Sequence, residues 1–97
     1  MAIGKSQSMG YLYILQSEKN GRYYIGSTNN LKRRLAEHNS GTTPSLTNLL
    51  PMRLVFKKVY DNLQEARKME LHLKKLKSRS IIERIIREQE IKTELPK

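Results

Sequence analysis

The feature that most constrains the fold is a pair of tyrosine-bearing segments separated by a short turn. Residues 11–16 and 22–27 are both rich in tyrosine and other strand-forming side chains. The polar segment 17–21 between them ends in Asn20 and Gly21, a dipeptide typical of hairpin turns. The sequence therefore predicts a β-hairpin at the start of the fold.

The register of this hairpin decides which side chains share a face of the sheet. Successive side chains of a strand point to opposite faces, so a shift of one residue exchanges them. If the numbers of paired residues sum to an odd value, Tyr13 and Leu15 share a face with Tyr24 and Gly26. The two tyrosines would then converge on one site.

A basic helix is predicted directly after the hairpin. Leu31 and Leu35 are four residues apart and would pack the helix against the sheet. Arg34 and His38 have the same spacing and form a polar ridge beside that apolar stripe. We expect this ridge to face the same cleft as the tyrosines.

N-cap residues mark the predicted helix starts. Thr28 or Asn29 is the candidate cap of the first helix, and capping boxes that begin at Asn62 and Ser80 open two more. The Asn62 helix carries apolar residues every three or four positions over about four turns.

These elements give the order ββαβαα, which indicates an α+β domain with a small three-stranded antiparallel sheet flanked by helices. The third strand is predicted at residues 53–60, after a loop over 39–51 that holds at most a short helical turn. We expect residues 10–90 to form a single domain. Residues 1–9 are predicted to be a disordered lead or a remnant of cloning, and residues 91–97 a frayed tail.

The charge balance favours a polyanionic partner. The chain has 97 residues, 19 Lys and Arg against 9 Asp and Glu, and a net charge of +10. Residues 1–60 hold nine basic and two acidic residues, so the tyrosine-bearing half carries most of the excess. A charge of this sign favours nucleic acid first and an anionic membrane surface second, and DNA is the expected partner. A solvated basic surface that only aids solubility is the alternative.

Composition also excludes several classes of protein. Because there are no cysteines, neither a disulfide framework nor a thiolate metal site is available. No apolar run approaches the roughly 20 residues that a membrane span needs. A cytoplasmic protein with no membrane partner is the expectation.

Glu70 has an unusual position for a carboxylate. It lies four residues after Ala66 and three before Leu73, so it is at the edge of the apolar stripe rather than on the outer face with Arg67. A carboxylate there is either a surface ion-pair partner or a recessed ligand.

Together these motifs resemble the GIY-YIG nuclease superfamily. The resemblance rests on Tyr11-Leu12-Tyr13, on Tyr24-Ile25-Gly26, on the basic helix 30–38 and on the Glu70 segment 65–70. It covers residues 10–90. Two departures occur in the first motif, where Tyr11 stands in place of glycine and Leu12 in place of isoleucine.

The resemblance implies a minimal metal-dependent DNA endonuclease, similar to the catalytic domains of an excision-repair endonuclease subunit and of homing endonucleases. It implies 5′-phosphate and 3′-hydroxyl products, a role in DNA repair or recombination, and one Mg²⁺ or Mn²⁺ ion held by Glu70. The catalytic residues that it implies are expected to line one concave surface: Tyr13, Tyr24, Arg34, His38 and Glu70. The expected substrate contacts are Gly26, Ser27, Lys32, Arg33, Thr42 and Lys74.

The chemistry of these residue types sets a condition on Tyr13. A free phenol has a pKa of about 10, so Tyr13 could accept a proton from water only if nearby positive charge lowers that pKa. Arg34 and an ion at Glu70 are the candidates to supply the charge. Arg34 would also clamp the phosphoryl oxygens, while Tyr24 and His38 would position the phosphate or relay a proton.

Two other functions remain open at this point. A basic nucleic-acid-binding module could keep the fold without turnover. A protein-interaction adaptor would bind its partner independently of salt, whereas phosphate contacts weaken steeply as salt rises. Specificity is expected to come from a protein partner or from the shape of the substrate.

Overall fold

A computed structural model describes residues 9–39 and 52–91 and has the predicted α+β architecture. The strands form one antiparallel sheet in the order β2-β1-β3. In chain order the elements are β1 (Gly10–Ser17), β2 (Tyr23–Thr28), α1 (Leu31–Asn39), β3 (Met52–Tyr60), α2 (Leu63–Leu76) and α3 (Arg79–Glu88). All of the predicted loop except residue 39 lies outside the described residues, as do residues 1–8 and 92–97 of the predicted ends.

The hairpin register confirms the odd-sum pairing. Tyr13 lies opposite Gly26, and Leu15 lies opposite Tyr24. Ser17 closes the turn. Its buried hydroxyl accepts hydrogen bonds from the backbone amides of Lys19 and Asn20, at 3.1 and 3.3 Å. Tyr13 and Tyr24 therefore belong to the same face of the sheet.

A register shift in the pairing of β1 with β3 distributes the apolar side chains of β3 between both faces. Ile14 pairs with Phe56, but the next residue, Leu15, pairs with Leu54, so Val55 is the extra residue of a bulge. Without a bulge, Leu54 and Phe56 would lie on the same face, because side chains repeat every two residues. Here Phe56 and Leu54 pack into different clusters.

The larger cluster lies between the sheet and helices α2 and α3, on what we call the α2 face. The middle of the predicted apolar stripe of α2 is buried, at Ala66, Met69 and Leu73, but Leu76 at its end is exposed. Ile91, just after α3, also packs against it. Its buried members are Leu12, Ile14, Phe56, Met69, Leu73, Ile82 and Ile85.

The opposite side of the sheet, which we call the α1 face, holds a smaller cluster. Its buried members are Tyr13, Leu15 and Met52. The helix α1 packs here through Leu31 and Leu35, which confirms the predicted apolar stripe. The predicted tyrosine site is thus on the α1 face, whereas α2, with Glu70, covers the other one.

One of the three predicted helix starts is confirmed and two are corrected. Asn62 caps α2 by accepting a hydrogen bond from the Glu65 amide at 2.9 Å. The cap of α1 is Asn30, whose Oδ1 accepts from the Arg33 amide at 3.0 Å, because Thr28 instead accepts from the Asn30 amide. The cap of α3 is Ser78, and its predicted cap Ser80 lies within the first turn.

The three helices contain 9, 14 and 10 residues. Over the ranges 9–39 and 52–91, none of them is long and apolar enough to cross a membrane.

Candidate active site around strand β2

Gly26 allows the ring of Tyr13 to lie across β2. A Cβ at Gly26 would come within 2.9 Å of Tyr13 Cε1 and closer still to Cζ and the hydroxyl oxygen, so any other residue would collide with the phenol. Packing therefore explains why glycine stands at this position, where the family resemblance implies a substrate contact. The absent side chain brings the Tyr13 hydroxyl to the edge strand of the sheet.

The Tyr13 hydroxyl lies within electrostatic reach of three charged groups. The residue is only 6% exposed, and this burial raises its pKa above the ordinary value of 10.0. Arg34 acts in the opposite direction and lowers the pKa, while Glu70 and Glu37 raise it further. Burial outweighs Arg34, so the phenol is protonated at neutral pH. The condition set by the sequence, a lowered pKa, is not met by Arg34 alone.

Arg34 lies on α1 beside a carboxylate that the sequence analysis did not single out. Its Nη1 is 3.7 Å from Glu37 Oε1, and Arg33 Nε is 3.8 Å from Glu37 Oε2. All three side chains are partly exposed, so these pairs are weak. The spacing of three residues between Arg34 and Glu37 on a predicted helix is the signal that identifies this pair from sequence.

Glu70 is recessed, and both of its oxygens are engaged. Its side chain is 16% exposed. Oε1 accepts a short hydrogen bond from Ser27 on β2, and Oε2 lies 2.6 Å from the Lys74 ammonium one helical turn later. A carboxylate held between a hydroxyl and an ammonium is fixed in position. Ser27 and Lys74, both expected substrate contacts, thus orient Glu70 in this structure.

Tyr13 and Glu70 approach β2 from opposite sides of the sheet, whereas the sequence predicted that both line one concave surface. Gly26 and Ser27 are consecutive, so they point to opposite faces. Gly26 accommodates Tyr13 from the α1 face, and Ser27 holds Glu70 from the α2 face. In the described part of the sheet β2 is an edge strand, so Tyr13 and Glu70 lie against consecutive residues of one strand from opposite faces, and the charge of Glu70 contributes to the raised pKa of Tyr13.

The remaining predicted site residues fall into two groups. Tyr24 is half-buried and packs against the α1-face cluster, and Lys32 and Arg33 are exposed on α1. Lys32 also borders a groove of about 460 Å³ between α1 and β3. The side chain of His38 and the whole of Thr42 lie outside the described residues, so their predicted roles stay predictions.

A divalent cation fits this site in combination with a phosphate. Within the described ranges, no group of three or more His, Cys, Asp or Glu side chains forms a ready-made metal cage. Mg²⁺ usually keeps several waters and binds through one or two carboxylates plus substrate phosphates, so the single carboxylate of Glu70 is sufficient. The ammonium of Lys74 would compete with the cation for Glu70 Oε2.

Comparison with known proteins identifies the domain. The sequence profile of the GIY-YIG catalytic domain matches residues 9–93. The chain is 40% identical over 68 residues to a UPF0213 protein of Streptococcus pneumoniae, covering 69% of this chain and 68% of that protein. It is 39% identical over 80 residues to a UPF0213 protein of Bacillus licheniformis, covering 81% and 80%.

A solved structure also resembles this fold. The solution NMR structure of a UPF0213 protein from Bacillus halodurans superimposes with a TM-score of 0.54 at 32% sequence identity. The match covers 84% of this chain and 85% of that one. The three-stranded antiparallel sheet flanked by helices is therefore shared with this relative.

Proposed function

Because this chain belongs to the GIY-YIG catalytic domain family, we propose that it is a metal-dependent endonuclease that hydrolyses phosphodiester bonds in DNA. The observation that carries the proposal is that Tyr13 lies against Gly26 and Glu70 binds Ser27, the next residue of β2, while the charges of Arg34 and Glu70 act on the Tyr13 hydroxyl. Arg34, Glu70 and Tyr13 come from α1, α2 and β1, which are distant in sequence. A guanidinium and a carboxylate-bound cation can compensate the charge that develops on a phosphate during hydrolysis, and a phenol can hydrogen-bond the phosphate or the attacking water.

Arg34 is proposed to hold the non-bridging oxygens of the phosphate. Its contact with Glu37 is 3.7 Å and partly exposed, so a phosphate can replace that carboxylate at little cost. The planar fork of a guanidinium binds two phosphate oxygens at once. Arg34 would therefore stabilise the charge that develops on these oxygens during hydrolysis.

Tyr13 is proposed to act first as a hydrogen-bond donor. Burial keeps its phenol protonated at neutral pH, so it can donate to a phosphate oxygen or to the attacking water. Glu70 would hold the divalent cation, which when bound supplies charge compensation for the phosphate. Neutralising Glu70 would also remove one cause of the raised pKa of Tyr13, and so favour ionisation to the phenolate, the form that can accept a proton from water. Tyr24 and His38 are proposed to position the phosphate.

The proposed endonuclease would act in DNA repair or recombination and would leave 5′-phosphate and 3′-hydroxyl ends. A protein partner or the shape of the DNA would select the cleavage site. These parts of the proposal follow the family resemblance, and the net charge of +10 supports a DNA substrate.

A specific observation supports the second candidate, a nucleic-acid-binding module without turnover. Both oxygens of Glu70 are already engaged, one by Ser27 and one by Lys74. If the Lys74 ammonium stays bound to Glu70 Oε2, that oxygen is not available to bind the cation. The two candidates therefore differ in whether Glu70 is a metal ligand or a structural ion pair.

A cleavage assay with a charge-matched control tests the proposal. Supercoiled plasmid and a single-stranded oligonucleotide are incubated with the protein in Mg²⁺ and in Mn²⁺. We expect Glu70→Gln to abolish cleavage, while its DNA affinity without metal is unchanged or higher, because net positive charge rises. The control Glu65→Ala changes the charge equally on the same helix, at an exposed residue that pairs with Lys68 at 3.7 Å.

Glu65→Ala should cleave at the wild-type rate. Undiminished cleavage by Glu70→Gln would reject the metal assignment. If the wild-type protein binds DNA in a salt-sensitive way but cleaves neither substrate in either metal, the binding module is the better description.

A further inference from the structure

A second basic groove adjoins the candidate site. It has a volume of about 260 Å³ and lies between the start of β2, the end of α2 and the start of α3. We call it the α2–α3 groove. Four of its lining residues are basic, and among the described residues that line it there is no carboxylate: Arg22, Lys74, Lys77 and Arg79 supply the charge.

Lys74 connects this groove to Glu70. Its ammonium contacts Glu70 Oε2 at 2.6 Å, and its side chain also lines the groove. A phosphate bound beside Glu70 would therefore lie next to the basic residues of the groove along α2. The positive surface continues from the proposed reaction centre toward α3.

Arg79 gives one wall of the groove a fixed shape. Its guanidinium lies over the ring of Tyr23, 4.8 Å from the centroid. Nη2 donates to the Gly21 carbonyl at 3.3 Å, and Nε pairs with Glu83 at 3.0 Å. These contacts hold the guanidinium plane in place, and a preorganised cation loses little freedom when an anion binds.

Lys77 occupies a backbone conformation that favours glycine. It follows the last residue of α2 with φ 48°, in the left-handed region where glycine is the common helix-ending residue. The only other described non-glycine residue with positive φ is Gln89, and its amide donates to the Val55 and Ile86 carbonyls. Within the described residues, the Lys77 ammonium makes no comparable contact. The strain at Lys77 is therefore not offset by a bond of its side chain, which lines the groove.

We propose that the α2–α3 groove binds the phosphodiester backbone of the nucleic-acid strand where that strand leaves the Glu70 site. This inference rests on the proposed function, since it extends the same substrate beyond the cleaved bond. Lys77 and Arg22 make phosphate contacts, Arg79 forms the rigid wall, and Lys74 bridges the groove and the reaction centre. A helix-ending lysine at a glycine position is explained by this contact.

Salt-dependent binding of one labelled probe tests the groove without requiring catalysis. A fluorescein-labelled 20-nucleotide DNA, single-stranded and as a duplex, is titrated without metal from 50 to 200 mM salt. Loss of one phosphate contact should lower the salt slope by about 0.7–0.9. Lys77→Gly should therefore lose about threefold more affinity at 50 mM than at 200 mM salt. Its melting temperature should stay equal or rise, because the backbone strain is relieved.

Two further variants separate the groove contact from general charge. Lys77→Arg should keep the wild-type slope. Lys75→Ala removes an exposed basic residue from the same turn of α2 that does not line the groove, and it should change the slope less than Lys77→Gly does. Equal effects of Lys75→Ala and Lys77→Gly would overturn the proposal.

The outcomes distinguish this inference from the nuclease proposal. If the wild-type protein binds the probe but Lys77→Gly has the same salt slope as the wild type, the groove assignment fails and the nuclease proposal stands. If Lys77→Gly shows the predicted slope but the wild-type protein does not cleave, the groove stands and the nuclease proposal fails. Weaker binding of Lys77→Gly to phosphatidylserine vesicles, with DNA binding unchanged, would assign the groove to a membrane and overturn the inference.

Discussion

The two faces of the sheet differ in what they bury. On the α2 face, seven buried apolar residues from strands and helices form one cluster, whereas the described part of the α1 face buries three. One of those three is Tyr13, whose hydroxyl is subject to the charges of Arg34, Glu37 and Glu70. Apolar burial is the main source of stability. The α2 face therefore carries most of the stability, and the α1 face carries most of the polar groups of the candidate site.

This difference indicates how a domain of this size can hold a polar site. Glu70 belongs to α2, but it sits at the margin of the apolar cluster and is held by Ser27 at the sheet edge. The charged groups are thus placed around β2, and the interior behind the central strand stays apolar. Changes at polar site residues should reduce activity without unfolding the protein, and the following predictions test that separation.

The largest expected effect concerns activity on the α1 face. Arg34→Ala should lower the cleavage rate by about a hundred- to a thousandfold, as removal of one electrostatic stabiliser typically does. Thermal unfolding should change little, because the side chain is partly exposed. Arg33→Ala is the comparison: Arg33 pairs with the same Glu37 carboxylate but is more exposed and is expected only to contact substrate, so its loss should weaken DNA binding more than it lowers the cleavage rate. Equal losses of rate and of DNA affinity in Arg34→Ala would make Arg34 a docking residue only.

A smaller effect is expected where the two faces meet. Gly26→Ala places a methyl group against the Tyr13 ring and should lower the free energy of unfolding by about 1–3 kcal/mol, a typical penalty for overpacking. In a Tyr13→Ala background the same change should have little effect, because the ring is gone. Gly21→Ala is the control: its φ of 76° makes alanine unfavourable, but nothing lies within contact distance. Urea denaturation of the wild type, the two single variants and the double variant gives the coupling free energy between positions 13 and 26. Additive changes in the free energy of unfolding would contradict the close approach of Tyr13 to Gly26.

The smallest effect is confined to alkaline pH. The pKa of Tyr13 is raised in the folded protein, mainly by burial, so its neutral form is favoured by folding. This stability is complete below about pH 10 and is lost as pH rises through the folded-state pKa, at up to about 1.4 kcal/mol per pH unit. Tyr13→Phe should flatten this decline, as measured by urea denaturation between pH 8 and 11. Tyr60, whose pKa is also raised mainly by burial, should contribute to the slope that remains.

Local patterns were sufficient to predict most of the fold. The hairpin register follows from strand alternation, and the pairing of Tyr13 with Gly26 bears it out. The Asn62 cap and the apolar stripe of α2 were also readable, because they depend on residues within one or two helical turns. Where several cap residues were adjacent, as near Asn30 and Ser78, the choice depended on the path of the preceding chain, which the local pattern does not specify.

The candidate site was less predictable, because its geometry depends on distant contacts. Ser27 and Glu70 are 43 residues apart, and only the docking of α2 on β2 brings them together. Whether the pKa of Tyr13 is raised or lowered depends on how completely the ring is buried, and the spacing of residues in the sequence does not indicate this. The bulge at Val55 likewise depends on the pairing of two complete strands.

Gln89 has a consequence for how copies of this chain behave in concentrated solution. In the described part of the sheet β3 has a neighbour on one side only, and the outer side of such a strand tends to recruit a strand from another molecule. The Gln89 amide donates to the Val55 carbonyl at 3.1 Å, and Lys57 and Lys58 place exposed positive charge on the same strand. An amide that blocks a carbonyl and charges that repel an identical strand both oppose growth of the sheet. The residue that caps the C-terminus of α3 thus opposes the addition of a further strand to β3.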